Sequence, residues 1–192
     1  MTWTSHHQRG DVLREVIAAA DTRLAAHPDT RRPALPTVPL PMDVAGVAET
    51  FGDETTLLGA LQLRWHTRLA GRIERELADQ PLDLAEAVTR AWRSAAAEMP
   101  GTRAVIDHHL AHPTSPEMAR TSAIATAKEH ELLALMAGHA SAPGVAAQRA
   151  GREIEAAARS SYDAGDAAVD AAADHRGGSP SLVQRLKAVL AA

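Results

Sequence analysis

Apolar residues recur at steps of three and four along most of this chain, and that spacing predicts helices that bury one face. The longest such pattern runs from Asp53 to Asp79 over about seven turns, with its apolar residues at Leu58, Leu61, Trp65, Leu69, Ile73 and Leu77. No segment of convincing length alternates apolar and polar residues as a strand does. The sequence therefore predicts an all-α fold with this helix at its centre.

Start and stop signals delimit the other helices. Asp83 and Glu86 match a capping box, Pro100-Gly101 ends the helix that follows, and Ser115-Pro116-Glu117 combines a cap, a first-turn proline and an acid. The remaining predicted helices are Asp11–Ala26, Asp83–Met99, Thr102 to about Ala111, Ser115–Ala137, Val145–Asp174 and the short amphipathic Ser181–Leu190. Together they form a single irregular bundle of about six helices.

Five prolines between His27 and Pro41 exclude a helix there and favour extended backbone. We expect this proline-rich strap to lie across the helical core through Leu35, Val38 and Leu40. The predicted organisation is one helical domain over residues 1–192. It divides into an N-terminal helix (1–26), the strap (27–42), a bundle core (43–140), an Ala-rich helix (143–175) and a short C-terminal amphipathic helix (181–192).

The chain contains 42 alanines in 192 residues, and 18 of its 20 basic residues are arginine, which indicates a GC-rich bacterial coding bias. The absence of cysteine excludes disulfides, thiolate zinc sites and cysteine nucleophiles. No apolar run approaches the ~20 residues of a membrane-spanning helix, and the first ten residues resemble no export signal. We expect a soluble cytoplasmic protein that does not act at membranes.

The Ala-rich helix carries a stripe of small residues that would let a partner helix approach closely. The stripe consists of Ala147, Ala150, Ile154, Ala157, Ser161, Ala164, Ala168 and Ala171. Three outcomes are open for this helix: docking within the bundle, pairing with another copy of the chain, or fraying in solution.

Histidine is abundant, with ten copies, and His108 and His112 are spaced to share one face of a helix at metal-chelating distance. Glu129, His130 and Glu131 on a later helix are further candidate ligands for a divalent metal such as zinc. The competing interpretation is that histidines near a helix C-terminus lie in solvent and favour the helix dipole. We favour this second interpretation, since the Glu-x-x-His and His-Glu-x-x-His motifs of known helical metal sites are absent.

A second set of polar residues lies close to apolar helix faces. It comprises Glu54, His66, Arg72 and Glu76 on the central helix, with Glu129 in phase with the apolar residues of its own helix. Arg72 and Glu76 have the spacing of an ion pair. The set could form an anion pocket or an acid–base site, but paired charges beside a buried face more often fix helix register, and we favour that interpretation.

No complete catalytic motif occurs, which argues against an enzyme. Our leading hypothesis is a non-enzymatic protein without a cofactor that binds another protein or forms a homo-oligomer. A net charge of −4 and an interrupted arginine stripe argue against nucleic acid. The alternatives are a metal-binding protein or metalloenzyme that uses His108 and His112, and a small-molecule sensor whose apolar pocket is formed by Trp65, Trp92 and Met136.

Overall fold

The computed structural model describes residues 3–26 and 38–160, and over these ranges the chain is an all-α bundle without strands. The helices are α1 (Trp3–Ala26), α2 (Val47–Phe51), α3 (Glu54–Ala78), α4 (Leu84–Glu98), α5 (Pro100–Ala111), α6 (Pro116–Met136) and α7, described over residues 145–160. Most of the strap, the end of the Ala-rich helix and the predicted C-terminal helix lie outside the described residues. None of the described helices combines the length and apolar character that a bilayer crossing requires.

Helix α3 is the centre of the bundle, as the sequence predicts. The Asp53 side chain accepts a hydrogen bond from the Thr56 N–H and so caps the first turn. The predicted stripe faces inward, and its residues Leu58, Leu61, Trp65, Leu69 and Ile73 are buried. Because this stripe is wide, α3 packs against α4, α5 and α6 at once.

Two predicted caps are confirmed, and the predicted start of the short helix is wrong. Asp83 accepts from the Glu86 N–H and Ser115 accepts from the Met118 N–H. The short helix begins at Pro100, not at Thr102. Proline suits a first helical position, so Pro100 ends α4 and opens α5.

Helices α1 and α5 approach so closely that only glycine fits between them. A Cβ on Gly101 would lie 2.3 Å from the Ala20 carbonyl carbon. Helix α5 has no side-chain cap of its own, but the Asp21 carboxylate of α1 accepts from the Gly101 N–H at 2.8 Å. This contact joins the N-terminal helix to the core.

Helix α1 differs from its prediction in length and in burial. It begins at Trp3 and not at Asp11. The residues before Asp11 contain no proline, but they include Gly10 and no apolar stripe, so the sequence pattern does not reveal this part of the helix. Val16 is buried, whereas Leu13 and Ile17 on the same predicted stripe are only half-buried. One edge of α1 therefore remains open to solvent.

Helix α7 docks on the bundle, but through a face shifted from the predicted small-residue stripe. Its buried residues include Ala147, Gly151, Ile154 and Ala158, whereas Ala157 of the predicted stripe is exposed. A Cβ on Gly151 would lie 1.9 Å from the His130 carbonyl oxygen of α6. The backbones of α6 and α7 are therefore in direct contact.

The described part of the strap lies against the core as expected, with Val38 and Leu40 buried. Helix α2 follows it and was not predicted. Its five residues are too few to show a helical period, although Val47 and Phe51 are buried on one side of it.

Candidate functional site

A network of charged side chains, buried except for the partly exposed Asp107 and Arg159, lies where α5, α6 and α7 meet, and Arg103 of α5 is its centre. The Arg103 residue is 5% exposed. Its Nη1 donates to both Glu129 oxygens, at 3.2 and 3.3 Å, and its Nε donates to Asp107 Oδ1 at 3.1 Å. A single guanidinium thus binds two carboxylates from different helices.

Helix α7 completes the network from the other side. Arg159 donates to the two Asp107 oxygens at 2.8 and 2.9 Å and to Glu155 Oε1 at 2.7 Å. Glu155 Oε2 lies 2.6 Å from His130 Nε2. Asp107 therefore bridges two arginines, and Glu155 bridges an arginine and a histidine.

Two tryptophans cover the network. Trp65 and Trp92 pack edge to face with ring centroids 5.8 Å apart, and the Arg103 guanidinium carbon lies 5.0 Å from the Trp65 ring centroid. Trp92 Nε1 donates to Glu129 Oε1 at 3.2 Å. The rings provide both cation–π attraction and a low-dielectric cover that strengthens the ion pairs beneath them.

Glu155 and Asp107 are held in their ionised forms. Burial alone would raise the pKa of Glu155, but the hydrogen bond with His130 and the charges of Arg103 and Arg159 outweigh it and lower the pKa from 4.5 to about 2. Burial also opposes ionisation of Asp107, yet the same two arginines lower its pKa. These two carboxylates act as fixed acceptors for arginine and not as proton acceptors, which favours a structural role for the network.

We expect acid to destabilise the protein through this network. The pKa of Glu155 is lowered on folding, so its contribution is complete above about pH 4.5 and is lost as the pH falls towards 2, with a magnitude of about 2–3 kcal/mol. Asp107 acts in the same direction, while Asp21, whose pKa is raised by burial, opposes it. Urea unfolding between about pH 6 and about pH 3, followed by circular dichroism, measures the loss. A Glu155→Gln variant should lose less free energy of unfolding over this pH range than the native protein does. An equal loss in the variant and the native protein would contradict the assignment of this acid sensitivity to Glu155.

The structure separates the candidate metal ligands. His108 and His112 stack at the end of α5 with ring centroids 5.1 Å apart, while Glu129 and His130 belong to the buried network. Glu131 accepts from the Gly144 N–H and the Gln148 amide. The described residues include no group of three or more His, Cys, Asp or Glu that could hold a metal ion. His108 Nδ1 is buried without a hydrogen-bond partner among the described residues.

The predicted polar set on α3 does not converge either. Arg72 pairs with Glu98 and Glu76 pairs with Arg90, so the expected ion pair between Arg72 and Glu76 is wrong. The reason is that α4 packs along α3 and presents opposite charges to both residues. Glu54 is exposed and accepts from Thr114 Oγ1 at 2.8 Å.

Among the described residues, His66 and Glu129 are the members of this set that the structure brings together, with 3.8 Å between His66 Nε2 and Glu129 Oε2. Burial lowers the pKa of His66 despite the attraction of Glu129. The crevice beside them is too narrow to admit a water molecule. Trp65 and Trp92 pack against each other, and Met136 is half-buried against the core. Of these three predicted pocket residues, Trp65 lines this crevice.

An open groove lies between α1 and α3, and sequence reasoning missed it. It has two adjoining parts of about 400 and about 350 Å³ that meet at Arg64. The first part is lined by Arg9, Leu13, Thr56, Gly59, Ala60, Leu63, Arg64 and Thr67, and the second by Arg14, Ile17, Arg64, Arg68, Glu98 and Met99. We call this feature the α1–α3 groove.

The part of the α1–α3 groove that Leu63 lines is largely apolar, the part that Glu98 lines is about half polar, and arginines line both parts. Leu63 is 68% exposed, whereas the other large apolar residues of α3 are buried or half-buried, and the half-buried Leu13 and Ile17 line the groove from α1. The sequence carries a signal for this groove, because Leu63 lies off the buried stripe of α3 and close to the small residues Gly59 and Ala60. An exposed apolar surface with a polar rim is typical of a protein-binding site.

No family model, curated protein or solved structure matches the chain. The buried network has its hydrogen-bonding capacity directed at its own members, whereas the α1–α3 groove presents apolar surface and cations to solvent. The groove is the better candidate for a functional site.

Proposed function

We propose that this is a non-enzymatic cytoplasmic interaction protein whose α1–α3 groove receives a helix from another protein. The observation that carries the proposal is the exposed Leu63, which lines an open groove together with Leu13. Amphipathic helices bind in such grooves by inserting side chains spaced three and four residues apart. Gly59 and Ala60 add little side-chain bulk to the floor, so a helix backbone could approach α3 closely.

The proposal assigns the buried network a scaffolding role. Arg103, Glu129 and Arg159 tie α5, α6 and α7 into one unit against which α3 packs. Helix α1 joins that unit through the contact of Asp21 with Gly101. Both walls of the groove therefore rest on the same core, and a groove with fixed walls loses less conformational entropy when it binds.

A second copy of the chain is a less suitable occupant than a different protein. A symmetric dimer places the same patch of both copies face to face, which would bring Arg64 towards its own counterpart. Like charges that meet across an interface oppose association. We therefore expect a monomer when light scattering is coupled to size-exclusion chromatography.

The test uses a designed helical peptide of about 18 residues with leucines at the spacing of an apolar stripe and glutamines elsewhere on its polar face. Replacing Leu63 with aspartate should weaken binding at least about tenfold, because the interface loses a buried leucine and gains an uncompensated charge. Isothermal titration calorimetry measures the affinity. Since Leu63 is exposed, circular dichroism should show an unchanged fold.

Leu82→Asp is the matched control. Leu82 is fully exposed, but it belongs to the turn between α3 and α4 and does not line the groove. Its substitution should leave the peptide affinity unchanged. If the native protein does not bind the peptide, or if Leu63→Asp binds it as tightly as the native protein does, the proposed function is wrong.

A further inference from the structure

The charges along the α1–α3 groove are predominantly positive. Four arginines line it, from Arg9 at one end to Arg68 at the other, against one lining glutamate, Glu98. Arg68 pairs with Glu98, and Arg14 pairs with Asp11. The charges of these two arginines are therefore largely offset.

The other two arginines keep their charge available. Arg64 is exposed and has no acidic partner among the described residues. Arg9 donates to the Thr50 carbonyl at 3.3 Å and lies 4.6 Å from the Phe51 ring centroid, and neither contact neutralises it. Two uncompensated cations thus line the apolar part of the groove.

Arg64 holds the most informative position, because it lines both parts of the groove and directly follows Leu63 in α3. A bound helix that inserts an apolar side chain beside Leu63 would bring its flanking residues near Arg64. Carboxylates on those flanking positions would form charge-assisted contacts, whereas lysines would be repelled.

From this arrangement we propose that the α1–α3 groove is specific for an acidic amphipathic helix of a partner protein, an inference that rests on the proposed function. A phosphate backbone fits the same groove less well. The exposed leucine and the half-buried apolar residues of α1 offer it no hydrogen bonds, and two uncompensated arginines are fewer than a typical nucleic-acid footprint provides.

The experiment uses three versions of the designed peptide that differ only in the residues beside the leucine stripe, which are glutamate, glutamine or lysine. We expect the glutamate peptide to bind about tenfold or more tighter than the lysine peptide, with the glutamine peptide between them. The advantage should shrink as salt is raised from about 50 to about 300 mM, since exposed charges are screened over shorter distances. Isothermal titration calorimetry on the full chain provides the affinities.

Arg64→Glu should reverse the order of the glutamate and lysine peptides. The matched control is Arg75→Glu, which makes the same change of charge on an exposed residue of α3 outside the groove and should preserve the order. If the three peptides bind the native protein equally and Leu63→Asp still abolishes their binding, the charge specificity is overturned and the proposed function stands. If none of the peptides binds, both proposals are overturned. If a short DNA duplex competes with the peptides for the groove, the proposal of a protein partner is overturned in favour of nucleic acid.

Discussion

Replacing Arg103 with methionine should lower the free energy of unfolding by about 3–5 kcal/mol, because it leaves the buried carboxylates of Glu129 and Asp107 without their central counter-charge. Methionine fills much of the space of the arginine stem, so the cost arises from charge and not from a cavity. A typical domain is stable by only about 5–15 kcal/mol, and the loss is therefore a large part of the total. Urea unfolding followed by circular dichroism gives its size.

Two comparisons identify the cause. Arg93→Met removes an ion pair with Glu86 near the surface and should cost less than about 1 kcal/mol. Combining Arg103→Met with Glu129→Gln should recover part of the stability, since glutamine is neutral but retains an oxygen that can accept from Trp92 Nε1. If Arg103→Met cost no more than Arg93→Met, the interpretation of Arg103 as the compensating charge would be wrong.

Gly151→Ala should destabilise the protein by about 3 kcal/mol or more, because the added methyl group would lie 1.9 Å from the His130 carbonyl oxygen and 2.4 Å from its carbonyl carbon. Both atoms belong to the backbone of α6 and cannot turn aside as a side chain can. Helix α7 would have to move away from α6, and Glu155 and Arg159 would move with it. Thermal and urea unfolding of the full chain measure the effect.

Gly71→Ala is a control variant for which we expect a change in stability of the opposite sign. Gly71 lies inside α3 with open space where a Cβ would be, so alanine should raise stability by about 0.5–1 kcal/mol through helix propensity alone. A gain of stability in both variants would show that α7 does not pack on α6 as described.

The sequence predicted those parts of the fold that depend on local pattern. The stripe of α3 and the caps at Asp83 and Ser115 are confirmed because helical period and capping chemistry operate within a few residues. The inward position of Glu129 also followed from its phase. The burial of its partner Arg103 could not be predicted, because no local signal shows that a charged residue of α5 will be buried.

The buried network had a partial signal in the sequence. Arg103 and Asp107 are four residues apart, as are Glu155 and Arg159, and such pairs usually lie on exposed helix faces. Their burial results from contacts between distant segments, such as the one between Asp107 and Arg159. Sequence spacing alone could not distinguish these two pairs from surface pairs such as Glu86 and Arg90.

The groove was missed for a related reason. Periodicity assigned Leu13 and Ile17 to the buried face of α1, and they are only half-buried because α1 packs mainly on α5 and touches α3 less. The angle between two packed helices depends on the close contact at Gly101, which a single sequence does not reveal.

The central claim is that the α1–α3 groove binds a helix, and amide chemical-shift mapping of the full chain with the glutamate peptide tests it most directly. We expect the largest shifts at Gly59, Ala60 and Leu63 of α3 and at Leu13 and Ile17 of α1, with little change in the turn between α3 and α4. Saturable shifts centred on that turn, or binding without shifts along the groove, would contradict the claim.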